Sequence, residues 1–327
     1  MTTAIDVMVN ILVYAGIAIV LFHALRTYLA RKVWPAQPSE VLSGDLFQVG
    51  EHLVYCPDRS HLSQGAVNQT TIVCFPGFLE DIRYFIALYR DVPARIIILN
   101  NGNYQNPFSN ATAVAKPAWS TSNPYPLGTI AHDAFCLNLV LDNMTHSERV
   151  VLHGHSRGGA VVLEAGNQQS DRASRTEALL EAAVIPQGRL VNNGERLLQP
   201  VGFYLMPMVL SLLRILPESM RLKSPMMWVT NAAKNKHVAG IPFTPKQYST
   251  AEINSVDIIR FHSESSPDNY ANFKRTTLFI GERDGVLSRS SMLKSAMQSP
   301  AVEVVETQGT DHFISLERPD LIRAYFS

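Results

Sequence analysis

Apolar residues are spaced along this chain in two alternating patterns. Short runs rich in Val, Ile, Leu and Phe, at residues 71–75, 95–99, 149–153, 180–185, 276–281 and 301–306, are too brief for helices and predict buried strands. Helical patterns such as residues 128–144 fall between them. Strands alternating with helices predict an α/β architecture on a mostly parallel sheet. The alternation fails between about residues 187 and 262. There the chain carries Val201-Gly202-Phe203-Tyr204-Leu205-Met206-Pro207-Met208-Val209-Leu210, then Leu212-Leu213 and Ile215-Leu216, and later Met226-Met227-Trp228-Val229. These predict a separate apolar, helical unit whose first helix is bent or bounded at Pro207.

Ahead of the first strand, residues 7–25 read VMVNILVYAGIAIVLFHAL, interrupted only by Asn10 and His23. About 20 mostly apolar residues are what a bilayer core requires, so residues 1–32 are expected to form a membrane anchor. A cleaved signal peptide is the rival, but it carries positive charge before the apolar stretch, and here Asp6 precedes while Arg26, Arg31 and Lys32 follow. A buried or interfacial helix is the other alternative. The positive-inside rule places the rest of the chain on the cytoplasmic side. Asn68, Asn110 and Asn143 each begin an Asn-x-Thr acceptor, which matters only in a secretory host.

The chemistry concentrates at Gly154-His155-Ser156-Arg157-Gly158-Gly159, between the apolar run Val150-Val151-Leu152 and the helix-forming Ala160-Val161-Val162-Leu163. Strand, sharp turn, helix is the context in which G-x-S-x-G forms a nucleophile elbow. A serine hydroxyl needs a histidine to take its proton and a carboxylate to orient that histidine. Asp284 follows the strand 276–281, and His312 follows the strand 301–306 through Thr307-Gln308-Gly309-Thr310-Asp311. Glu282 and Asp311 are rivals for the carboxylate.

On the motif at 154–159, the loop Gly281-Glu282-Arg283-Asp284 and the loop Gly309-Thr310-Asp311-His312, in the chain order Ser, Asp, His, the sequence resembles the α/β-hydrolase superfamily over about residues 50–327. The resemblance implies a mostly parallel sheet with helices on both faces, a core formed by residues 33–186 and 263–327, and a cap at 187–262. It also implies an oxyanion hole made by the N–H of Arg157 and an N–H of the loop Pro76-Gly77-Phe78-Leu79, with Phe78 the first candidate and Leu79 the alternative. A His-Gly pair common in the family is replaced here by Pro76-Gly77. His153 and His155 are expected to be packing or pocket residues, His132 and His262 structural or exposed, and the Arg157 side chain engaged in an ordinary loop contact, with contact to an anionic group the alternative.

Other chemistries are poorly represented. Cys56, Cys74 and Cys136 form no C-x-x-C pair, so cysteine spacing points to neither a zinc site, a redox motif nor a disulfide framework. There is no phosphate loop or dinucleotide fingerprint. With 28 basic and 28 acidic residues, nothing draws the chain to nucleic acid. The expectation is therefore a membrane-anchored serine hydrolase acting on carboxylic esters of acyl-chain or lipid-like substrates, with no cofactor and no metal. A thioesterase, an acyltransferase and a non-catalytic membrane scaffold are the alternatives, and oligomeric state is left open.

Overall fold

The computed structural model describes residues 2–326 except 38, 112–113, 192–198, 218–219, 221–232, 235–236 and 238–239. The expected apolar segment Met226-Met227-Trp228-Val229 lies outside the described residues, and the expected cap at 187–262 is described only in part.

Eight strands form one sheet: β1 (Gly44–Val49), β2 (His52–Pro57), β3 (Thr70–Phe75), β4 (Arg95–Leu99), β5 (Arg149–His155), β6 (Glu177–Glu181), β7 (Arg275–Gly281) and β8 (Val302–Thr307). Their order is β1-β2-β4-β3-β5-β6-β7-β8. β1 and β2 pair antiparallel as a hairpin, and β2 runs antiparallel to β4. From β4 to β8 every neighbouring pair is parallel. The carboxyl ends of those strands therefore share one edge of the sheet, where open α/β sheets bind their ligands.

Both faces of the sheet are covered, as the continuous apolar strands require. Alternate residues divide between two cores. Val73, Phe75, Ile97, Leu99, Leu152, Leu180 and Leu278 pack on one face with helix α2 (Ile130–Met144) and helix α3 (Arg157–Gln168). Ile72, Cys74, Ile96, Ile98, Val151, Leu179 and Phe279 face the other way, against Tyr84, Phe85 and Leu88.

Two expectations need correction. The β1–β2 hairpin was not anticipated, although Gly50 at φ +55° marks its turn. The strand expected at 180–185 lies instead at Glu177–Glu181. Its apolar run continues past the last sheet pairing because Ala182 takes φ +41° and turns the chain, while Ala182, Ala183, Val184 and Ile185 remain buried beneath the site. Hydrophobicity reports burial, and here burial outlasts the strand.

The N-terminal helix α1 (Thr2–Arg31) is apolar and long enough to cross a membrane by length and composition, and its side chains from Val7 to Leu21 stand exposed. Its end docks on helix α4 (Gln199–Ile215) and helix α5 (Pro245–Glu264). His23 Nδ1 lies 2.7 Å from the Tyr204 hydroxyl, Arg26 Nε donates to the Tyr204 carbonyl at 3.0 Å, and Arg26 Nη2 donates to the Tyr248 hydroxyl at 2.9 Å. Pro207 does not bound α4, which continues through it. Proline cannot donate to the carbonyl four residues earlier, Phe203, and the Tyr248 hydroxyl donates to that oxygen instead. The proline thus supplies an acceptor that ties α4 to α5.

Leu180 is fully buried at the centre of the sheet. Leu180→Ala is expected to destabilise the chain by about 2–5 kcal/mol, whereas Glu303→Ala, at an exposed pair with Arg275 on the sheet edge, should stay within about 1 kcal/mol. Denaturant midpoints of the detergent-solubilised protein measure both.

Candidate active site

Ser156 sits between β5 and α3 at φ +50°, ψ −119°, a region that side chains rarely occupy and that costs on the order of 1–3 kcal/mol. The turn is that tight because α3 begins against β3. A Cβ at Gly158 would stand 2.0 Å from the Phe75 carbonyl oxygen. The Ser156 N–H donates to the Glu181 carbonyl and its own carbonyl accepts from Val184, so the strained residue is held on both sides. Its position at the start of a 12-residue helix puts the positive end of the helix dipole beside the hydroxyl.

The loops after β7 and β8 bring Asp284 and His312 together: Nδ1 of His312 donates to Asp284 Oδ2 at 2.9 Å, with both residues buried. This leaves Nε2 as the basic nitrogen of the neutral ring. Asp284 Oδ1 accepts from the N–H groups of Val286 and Leu287, both at 2.8 Å. Burial works to raise the Asp284 carboxyl, but the His312 partner and these two N–H groups outweigh it and hold it below the usual carboxylate range. The rivals are engaged elsewhere. Glu282 is exposed and accepts from the Gly309 N–H, while Asp311 pairs with Lys234 and caps the Phe313 N–H.

The loop after β3 lies against the serine. A Cβ at Gly77 would come within 2.8 Å of Ser156 Cβ, so only glycine lets this backbone approach. The next N–H belongs to Phe78. Leu79, at φ +61°, donates its N–H to the Tyr104 hydroxyl at 3.3 Å, which favours Phe78 as the available donor.

Beneath these groups lies a set of buried charges that motif reading missed. Arg157 is fully buried, not in an ordinary loop contact. It donates to Asp133 at 2.5 Å, to Asn101 Oδ1 at 2.8 Å and to the Gly128 carbonyl at 3.1 Å. The other end of Asn101 donates to the Gly77 carbonyl at 2.9 Å, so one amide braces both sides of the expected oxyanion hole. Asp133 also holds His52 Nε2 at 2.8 Å. Polar Asn100-Asn101 at the carboxyl end of β4 was the available sequence signal.

His155 and His153 point away from the hydroxyl, each into its own carboxylate. His155 Nδ1 donates to Glu80 at 2.8 Å and Nε2 to the His312 carbonyl at 2.9 Å, so both partners are acceptors and the ring carries both protons. Burial pulls its pKa down, yet Glu80 prevails and raises it to about 9. His153 instead has the Tyr89 hydroxyl at Nδ1 and Glu181 at Nε2, and burial lowers its pKa. Glu181 also accepts from Tyr84 and from the N–H and hydroxyl of Ser315; burial would raise its pKa, but the hydrogen bond to His153, the nearby His155 and the Ser315 hydroxyl bring it to about 2. His155 and Ser315 thus brace the His312 loop from below. His132 and His262 are both buried.

The architecture agrees with known proteins. A family model described as the alpha/beta hydrolase family matches residues 19–324, and the chain belongs to that family. The match begins well ahead of the 50–327 span on which the sequence resemblance rested. No curated protein matches the sequence. Among solved structures, a thermophilic esterase from Thermogutta terrifontis is 15% identical with a TM-score of 0.57, covering 90% of this chain and 96% of its own. An esterase from Exiguobacterium antarcticum is also 15% identical, with a TM-score of 0.58 over 86% of this chain and 99% of its own. A bromoperoxidase from Bacillus anthracis reaches a TM-score of 0.58 at 14% identity, covering 86% of this chain and 98% of its own. At such identities the likeness concerns the fold, which hosts more than one chemistry.

Because the folded pKa of His155 is raised above its ordinary 6.5, the stability it contributes is complete below pH 6.5 and is lost as pH rises through about 9. Melting temperature is expected to fall across that interval, and Glu80→Gln should remove most of the fall; thermal melts recorded from pH 6 to 10 check this.

Proposed function

We propose that this chain is a membrane-anchored serine hydrolase that cleaves carboxylic esters of acyl-chain or lipid-like substrates. The observation that carries the reading is the buried Asp284–His312 pair at the same sheet edge as the strained Ser156. His312 Nε2 takes the Ser156 proton as Oγ attacks the ester carbonyl. The N–H groups of Phe78 and Arg157 hold the resulting oxyanion. Collapse breaks the bond to the alcohol, which leaves with the proton from His312, and the acyl group remains on Ser156. Water then gives a proton to His312 and attacks the acyl carbonyl; the acid departs and Ser156 recovers its hydrogen. Asp284 keeps Nδ1 protonated throughout and stabilises the imidazolium.

Support for an apolar substrate comes from the anchor side. Phe203 of α4 packs on Phe78 with ring centroids 6.1 Å apart, while its neighbour Tyr204 meets α1. Val201, Val209, Leu212 and Ile215 of α4 are exposed, so an apolar surface runs beside the helix that would enter the bilayer. A lipid-borne ester would reach the site across this surface. Arg31 and Lys32 directly after α1's apolar stretch favour a cytoplasmic catalytic domain, whereas Arg26 is engaged by Tyr204 and Tyr248.

Hydrolysis of p-nitrophenyl esters of graded chain length by the detergent-solubilised protein tests the reading. Turnover should favour medium or long chains, fall by roughly 10⁴-fold or more in Ser156→Ala, and fall by about 10³–10⁴-fold in Asp284→Asn. Comparable turnover by a folded Ser156→Ala protein would refute the nucleophile. Faster cleavage of matched thioesters would move the substrate class to thioesters.

A further inference from the structure

Away from Ser156, where α2 meets the β1–β2 hairpin, His52, His132 and Cys136 come together beneath the surface. One ring nitrogen from each histidine and the cysteine sulfur lie within 4.8 Å of one another, and all three residues are buried. His132 and Cys136 are one helical turn apart on α2, which sets them on the same face. His52 begins β2 and reaches that face through the hairpin. We propose that these three side chains bind one zinc ion.

The donor set favours a borderline transition metal. Two imidazoles and a thiolate match zinc, whereas magnesium and calcium require oxygen. His52 is oriented for the role. Its Nε2 is held by Asp133 at 2.8 Å, while Nδ1 is buried and left to the Cys136 sulfur. A carboxylate on the far nitrogen of a histidine is the arrangement that orients a ligating imidazole. Tetrahedral ligands stand roughly 3.5 Å apart, with bonds of about 2.0–2.3 Å, so the three atoms converge by roughly an ångström on binding. Glu51, exposed and with an oxygen 3.3 Å from His132 Nε2, offers a fourth ligand, with water as the alternative. Cysteine spacing gave no hint of this site because its ligands come from two elements and include one thiol only.

The Asp133 carboxylate that orients His52 also binds Arg157, the residue after Ser156. The ion would therefore tighten the frame beneath the serine turn without touching substrate. The binding claim stands independently of the hydrolase reading, and the test is made in a Ser156→Ala background.

The full chain in detergent, reduced and freed of metal by chelation, is titrated with Co²⁺. We expect one equivalent to bind with a near-ultraviolet thiolate charge-transfer band that Zn²⁺ abolishes by displacement. Cys136→Ser should lose the band although Cys56 and Cys74 remain. His132→Gln, which keeps the thiol, should weaken Co²⁺ binding by at least about tenfold. Circular dichroism confirms that each protein is folded. Absence of the band in the folded parent at millimolar Co²⁺, its persistence in Cys136→Ser, or unchanged affinity in His132→Gln each overturns the proposal.

Discussion

Everything at the sheet edge depends on how closely α3 is pressed against β3 and β5. With no room for a side chain at Gly158, the chain must turn within one residue, and Ser156 accepts a positive φ to do so. The strain is sustained by hydrogen bonds to Glu181 and Val184 and by a core that is closed on both faces of the sheet. A serine in an open loop could relax. Held here, its hydroxyl stands at the head of a helix with a neighbouring backbone, that of Gly77, in van der Waals range.

Around that turn the structure solves a second problem, the burial of charge. Arg157, Asp133, Glu80, Glu181 and His155 are all buried, and an ion left unpaired there would cost several kcal/mol. Each is paired. The pairs link the loops that carry the candidate chemistry: Asn101 and Arg157 join the β3 loop to the serine turn, and His155 and Ser315 join the β5 strand and its neighbour to the His312 loop. The polar network fixes relative positions among loops that share no covalent neighbour.

At the opposite extreme, α1 is almost wholly exposed, and what contact it makes is with α4 and α5. The joint is built from Pro207. By freeing the Phe203 carbonyl it gives Tyr248 a partner, and Tyr248 and Tyr204 together receive Arg26. A residue that usually ends helices here couples a helix suited to a bilayer to the one that packs on Phe78.

Much of the fold was legible because its determinants are local. Five of the six expected strands lie where the apolar runs place them, and Ser156, Asp284 and His312 each follow a strand as the motif spacing requires. The sixth was displaced because apolarity does not distinguish the end of a ladder from a buried turn. In the hairpin of β1 and β2, the mixed burial of β1 leaves no continuous apolar run, and β2 carries only the four-residue run Leu53-Val54-Tyr55-Cys56. For the candidate site, sequence order alone selected the residue types but left Glu282 and Asp311 as rivals to Asp284, and Leu79 as rival to Phe78. Hydrogen-bond partners set Asp284, not its rivals, against His312 and leave the Leu79 N–H engaged with Tyr104. The roles of Arg157, Asp133 and His52 could be decided only in three dimensions, since a charge becomes a buried brace or a free contact according to what the rest of the chain folds around it. Local periodicity and turn chemistry are properties of neighbouring residues; pairing of buried polar groups is a property of residues far apart, and only the packed structure brings them together.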